Sequence, residues 1–137
     1  WLDQGASKAI IICRTPNRYS AGMVEVELKK SFADKTNWQA MLKDLQDDNL
    51  DLRLEKEKAI SLLKGKGLKY QVEADIEYSI QYPVNQYPEK VKSFSFEKEL
   101  ALKGTLSGIK GQYLIIDSSR VLNVRTHGGY QVDINLR

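Results

Sequence analysis

Over the first 67 residues, apolar positions follow a helical rhythm with one exception. Ala9-Ile10-Ile11-Ile12-Cys13 is short, isoleucine-rich and continuously apolar, the pattern of a buried strand. Thr15-Pro16-Asn17 breaks it. From Arg18 to Ala33, the residues Ala21, Val24, Leu28 and Phe32 fall three and four apart and so share one helix face. This spacing predicts that Ala21, Val24 and Leu28 are buried while Glu27 and Lys30 are exposed. Gly22 weakens such a helix by about 1 kcal/mol relative to alanine, which points to a close approach there. Glu25 precedes Lys29 by four residues, the orientation that favours a surface ion pair. After the cap-rich link Asp34-Lys35-Thr36-Asn37, a short helix is expected through Trp38, Met41, Leu42 and Leu45, with Trp38 in the core. Asp47-Asp48-Asn49 breaks the chain again. Asp51 then starts a helix through Leu54, Ala59, Leu62 and Leu63, stopped by Gly65 and Gly67.

Beyond Gly67 the period changes to two. Ala74, Ile76, Tyr78, Ile80 and Tyr82 alternate with Asp75, Glu77, Ser79 and Gln81, the signature of a half-buried strand. Phe94 and Phe96 mark a second strand, and Leu100, Leu102 and Leu106 a third with Gly104 as a bulge. Gln112 to Asp117 reads as a buried strand returning through Val121 to Arg125 across the turn Asp117-Ser118-Ser119-Arg120. A Gly128-Gly129 turn leads to a last strand at Tyr130, Val132, Ile134 and Leu136. The expected fold is α+β. Residues 1–67 form a helix-rich part with one strand, and residues 68–137 a small antiparallel β domain resembling a barrel.

Charge does not select a partner. The chain carries 21 basic and 18 acidic residues, net +3, without a concentrated basic block. No apolar run approaches a membrane span. Cys13 and His127 are the only residues of their kinds, so an internal disulfide is excluded and a local zinc cluster is not expected. A single cysteine fits a reducing cytoplasm. The chain opens at Trp1 without a charged leader, and it reads as part of something longer with no signal peptide.

Several longer motifs carry a resemblance. Gly108-Ile109-Lys110-Gly111-Gln112-Tyr113-Leu114-Ile115, followed by Val121-Leu122-Asn123-Val124-Arg125-Thr126-His127-Gly128-Gly129-Tyr130, resembles the carboxy-terminal signature of the prokaryotic domain of unknown function 2797. The opening Trp1-Leu2-Asp3-Gln4-Gly5-Ala6 is also similar, as are Thr15-Pro16-Asn17-Arg18-Tyr19 and Asp34-Lys35-Thr36-Asn37-Trp38. Longer members of that family resemble a zinc-ribbon-like segment followed by a core similar to the GIY-YIG nuclease fold. The resemblance implies that Trp1 to Leu45 is the later half of such a core, without the tyrosine pair and arginine that precede it. It also implies that Glu25 matches the helix glutamate that holds a divalent metal in those nucleases. By that reading this chain is not catalytic by itself and has no cofactor. A divalent metal at Glu25 and a phosphodiesterase activity would belong to the full-length protein.

Candidate contacts follow. Arg14, Arg18 and Lys8 suit phosphate if they flank a cleft with Glu25, and Asn17 joins them through the family likeness. Arg125, His127 and Tyr130 surround the Gly128-Gly129 turn and offer a cation, an imidazole and a ring. The competing reading there is a plain tight turn requiring positive φ. No nucleophile triad, phosphate loop or dinucleotide fingerprint is present in the sequence. The leading reading is a nucleic-acid-interacting protein. The alternative is a non-catalytic structural or protein-interaction module that uses its β-rich part. A concave surface joining Glu25, Arg14 and Arg18 favours the first, and an exposed apolar patch on the β part favours the second.

Overall fold

The computed structural model describes residues 1–136 apart from 34, 46 and 48. Asp34 of the cap-rich link and Asp48 of the break before the third helix therefore lie outside the described residues. The elements in chain order are β1 (Lys8–Ile10), β2 (Cys13–Arg14), α1 (Arg18–Leu28), α2 (Trp38–Leu42), α3 (Leu52–Leu63), β3 (Gln71–Val72), β4 (Glu77–Ser79), β5 (Lys92–Phe94), β6 (Leu106–Lys110), β7 (Tyr113–Ile116) and β8 (Arg120–Asn123). The fold is α+β. Contacts divide the chain differently from a single cut at Gly67. One unit combines residues 1–5, 38–45 and 82–137, and the other residues 6–37 and 46–81.

In the unit of residues 6–37 and 46–81, β1 pairs antiparallel with β4, and β2 with β3. The registers run Ile10↔Glu77 and then Cys13↔Val72, so two residues on one side oppose four on the other. The surplus residues Glu73 to Ile76 interrupt the strand expected over Ala74–Tyr82, and only Glu77–Ser79 remains of it. Lys56 of α3 holds this bulge. Its ammonium, on a side chain only 3% exposed, donates to the Glu73 carbonyl at 2.5 Å and the Ala74 carbonyl at 3.0 Å, and pairs with the Asp75 carboxylate at 2.8 Å. That pairing holds the Asp75 carboxyl below the usual carboxylate range. Lys56 shares the inward face of α3 with Ala59 and Leu63, and α3 packs on α1 and β1.

α1 begins at Asn17, whose side-chain oxygen accepts the Ser20 N–H at 2.9 Å. It ends at Leu28, five residues short of Ala33, because Lys30 and Ser31 bond back to Glu27 and Leu28 in tighter i→i−3 turns. Val24 is buried and Leu28 half-buried, but Ala21 is exposed. Glu27, expected in water, is half-buried because Lys30 and Lys66 both pair with it.

In the other unit, the sheet has the order β5-β8-β7-β6. β7 and β8 form the antiparallel hairpin that the two apolar runs predict, with Ile116↔Arg120 and Tyr113↔Asn123 in register, and β6 adds antiparallel to β7. Asp117 and Ser118 turn this hairpin with φ of 51° and 49°, the left-handed backbone that tight hairpins use. Two expectations fail. The sheet is open, with four strands, and does not close into a barrel. It is also mixed, because β5 pairs parallel to β8 through Ser93↔Val121. Leu100, Leu102, and the run from Tyr130 to Leu136 form no strand.

Leu42 of α2 packs with Tyr113, Ile115 and Val121, and Trp38 stacks on Tyr113 at 5.8 Å, so Trp38 is core-packed as expected. Asp44, with φ of 55°, ends this helix before Leu45. The first residues join this unit by backbone approach. A Cβ at Gly111 would lie 2.7 Å from the Asp3 carbonyl oxygen, and Tyr82 donates its hydroxyl to the Leu2 carbonyl at 3.2 Å.

Two outcomes follow for stability. Lys56→Met leaves the Glu73 and Ala74 carbonyls without their donor, and urea denaturation is expected to show a loss of about 1–3 kcal/mol. Asp117 is held below the ordinary aspartate range by the Thr105 N–H and then by Arg120. Its contribution is therefore present above the unfolded pKa and lost as pH falls through the lower folded one. The stability difference between the parent and Asp117→Asn should be largest near neutrality and shrink towards acid.

Candidate functional site

Residues from β2, the link after it and α1 surround a cleft of about 320 Å³. Cys13, Val24, Leu28 and Phe32 make it mostly apolar, and Glu25 and Lys29 lie at its edge. Glu25 therefore lines a concave surface. Its partner, though, is Lys29, whose ammonium is 2.9 Å from Oε1. The Glu25 side chain is 63% exposed, so the pair is screened and contributes little. Neither Arg14 nor Arg18 is among the residues around the cleft. The Arg14 guanidinium turns to Glu73 across the β2–β3 ladder. Arg18 is exposed, and the Asn17 side chain is occupied as the cap of α1. Lys8 lines a different, polar recess with Asp51, Arg53 and Glu77. The fold thus separates the residues that the sequence reading grouped around one cleft.

Burial pushes the Cys13 thiol up, against the weaker pull of the Lys56 charge, so the nucleophilic thiolate is disfavoured. Among the described residues, no three of His, Cys, Asp and Glu come together as metal ligands. Glu25 is the one carboxylate among the described residues around the cleft, and its Oε1 is held by the Lys29 ammonium.

The residues around the Gly128-Gly129 turn do come together. Asn123 ends β8 and caps a 3-10 turn, Val124–His127, through the Arg125 N–H at 3.1 Å. The Phe96 N–H donates to His127 Nε2 at 3.2 Å, which makes Nε2 an acceptor. Nδ1 therefore carries the proton of the neutral ring and donates to the Asn123 carbonyl at 2.8 Å. Both nitrogens serve the backbone, so His127 acts as a staple between the segment after β5 and the end of β8. Phe96 meets the His127 ring at 5.4 Å, and Tyr130 meets it at 5.4 Å from another side. Gly129 takes φ of 89°, the conformation that the tight-turn reading requires. Arg125 and Tyr130 are exposed at the edge of this cluster.

Sequence reasoning missed Lys110, only 2% exposed on β6. Its ammonium pairs with Asp44 at 2.6 Å and lies 4.7 Å from the ring centre of Tyr87 and 5.7 Å from that of Tyr82. Burial raises both tyrosine hydroxyls. The available signal was its place two residues after Gly108, on the inward side of the alternation.

A family model described as protein of unknown function, DUF2797, matches residues 1–132. No curated protein and no solved structure matches the chain. Among the described residues, no helix is long and apolar enough to cross a membrane.

The His127 geometry gives a spectroscopic expectation. Nitrogen-15 correlation spectra of the neutral imidazole should show the Nδ1-protonated tautomer, and finding the proton on Nε2 would contradict the staple. His127→Phe keeps a ring but frees the Phe96 N–H, and should lower the unfolding free energy by about 1–3 kcal/mol.

Proposed function

The chain belongs to the DUF2797 family, whose description assigns no activity, and on that premise we propose that it is a non-catalytic protein-interaction module that uses its β-rich unit. One observation carries this reading. From Tyr130 to Leu136 the apolar residues Tyr130, Val132, Ile134 and Leu136 occupy every second position, yet they are 47%, 50%, 78% and 92% exposed. In an extended chain all four side chains fall on one face. The backbone of this stretch belongs to no strand. A segment with strand chemistry and no sheet fits a partner with an open sheet edge, where main-chain hydrogen bonds give affinity and alternate side chains give selectivity.

A second reading has its own support. Tyr130 is braced by His127 and Phe96, and Arg125 is exposed on the adjacent turn. A rigid ring beside a guanidinium suits stacking and phosphate contact with single-stranded nucleic acid. The cleft at Glu25 has less support for that role, because Arg14 is paired elsewhere and Glu25 is held by Lys29. The nuclease likeness of Trp1 to Leu45 also has little to rest on, since that stretch is shared between the two units.

The test is photo-crosslinking in the producing cell, with benzoylphenylalanine in place of Ile134. A discrete protein adduct that disappears on Val132→Asp is the expected result. Adducts with nucleic acid alone would favour the second reading. In that case oligonucleotide affinity should fall with salt, and Arg125→Ala should reduce the slope by about one phosphate contact. The absence of any adduct overturns the interaction reading.

A further inference from the structure

α1 turns an apolar face to solvent. At 3.6 residues per turn, Tyr19, Gly22, Met23 and Val26 share one side of the helix, opposite the buried Val24 and half-buried Leu28. Tyr19 is 77% exposed, Val26 59% and Met23 41%. A Cβ on Gly22 would meet nothing within 4 Å. The glycine weakens its own helix and serves no close contact inside the chain. What it leaves is a patch of bare helical backbone framed by three apolar side chains, a shape that a second helix can approach closely.

We propose that α1 is a self-association surface on which two copies of this chain pack α1 against α1, antiparallel, about a two-fold axis near Gly22. A two-fold contact needs a patch that complements itself, and the charges beside the stripe do so. Arg18 lies four residues before Gly22 and Glu25 three residues after it, on the same flank of the stripe. An antiparallel crossing at Gly22 brings Arg18 of one copy beside Glu25 of the partner subunit, offset along the axis by about one residue's rise, ~1.5 Å. The flank is thus complementary in charge to itself in the antiparallel crossing, which favours a second copy as the occupant. Within the chain, Arg18 is exposed and has no ion-pair partner among the described residues. Glu25 meets Lys29 through Oε1, and Oε2 remains for a second cation. This surface lies on a helix that the C-terminal reading does not use, and it stands or falls separately.

Sedimentation equilibrium of the chain over about three decades of concentration tests it. A reversible dimer is expected. Gly22→Leu and Met23→Asp should each weaken it about tenfold or more. Circular dichroism should confirm that both variants fold, as the open space at Gly22 and the exposure of Met23 imply. Arg18→Glu and Glu25→Arg should each weaken the dimer, and the two together should restore it to within about threefold. A chain that stays monomeric throughout overturns the proposal. So does a dimer indifferent to Gly22→Leu and Met23→Asp, or a double charge reversal as weak as either single one.

Discussion

A lysine side chain withdrawn from water must have its ammonium paired, because an isolated charge in a medium of low polarity costs many kcal/mol. Both units of this chain are organised around that requirement. Lys56 satisfies it with two carbonyls and the Asp75 carboxylate, and Lys110 with Asp44 and two tyrosine faces. Each solution draws in backbone that regular pairing would not. The Lys56 contacts hold the surplus residues between β3 and β4, where the two ladders fall out of step. The Lys110 contacts join β6 to the end of the α2 segment and to the loop carrying Tyr82 and Tyr87. Small cores explain why such anchoring matters, since a chain of this size has limited apolar area to bury.

The surface that remains follows from the same economy. Apolar residues on α1 and along Tyr130 to Leu136 are not recruited into either core, although their spacing is regular. Several of the charged groups, by contrast, are used internally. Arg14, Lys29, Lys30, Arg53, Lys58, Lys66 and Arg120 all sit in ion pairs. The regular apolar positions that face water are what the proposed protein-interaction reading rests on. Arg125 is exposed beside Tyr130, and that pairing carries the second functional reading.

Local chemistry was legible in the sequence wherever a neighbour within a few residues decides the outcome. Asn17 and Asp51 cap their helices, Gly65 and Gly67 take the positive φ expected after α3, and the β7–β8 hairpin follows from two apolar runs around a polar link. The Glu25–Lys29 pair is likewise a matter of helical spacing. Periodicity also placed Val24 inside.

Only the tertiary structure decided what depends on distant partners. Period two in Ala74–Tyr82 promised a long strand, but the clamp from Lys56, 17 and 18 residues away, accommodates a bulge instead. The same period at Tyr130 to Leu136 has no strand to pair with, so it forms none. Parallel pairing of β5 with β8 joins residues about 28 apart, such as Ser93 and Val121, beyond the reach of any local pattern. Arg14, Arg18 and Glu25 are neighbours in sequence but not around one cleft, because Glu73 claims Arg14 and the helix rotation gives Glu25 to Lys29. Sequence alone sets propensity, caps and turn chemistry through short-range sterics and hydrogen bonds. Which apolar face is covered, and which cation finds which oxygen, is settled when remote segments compete for the same buried space.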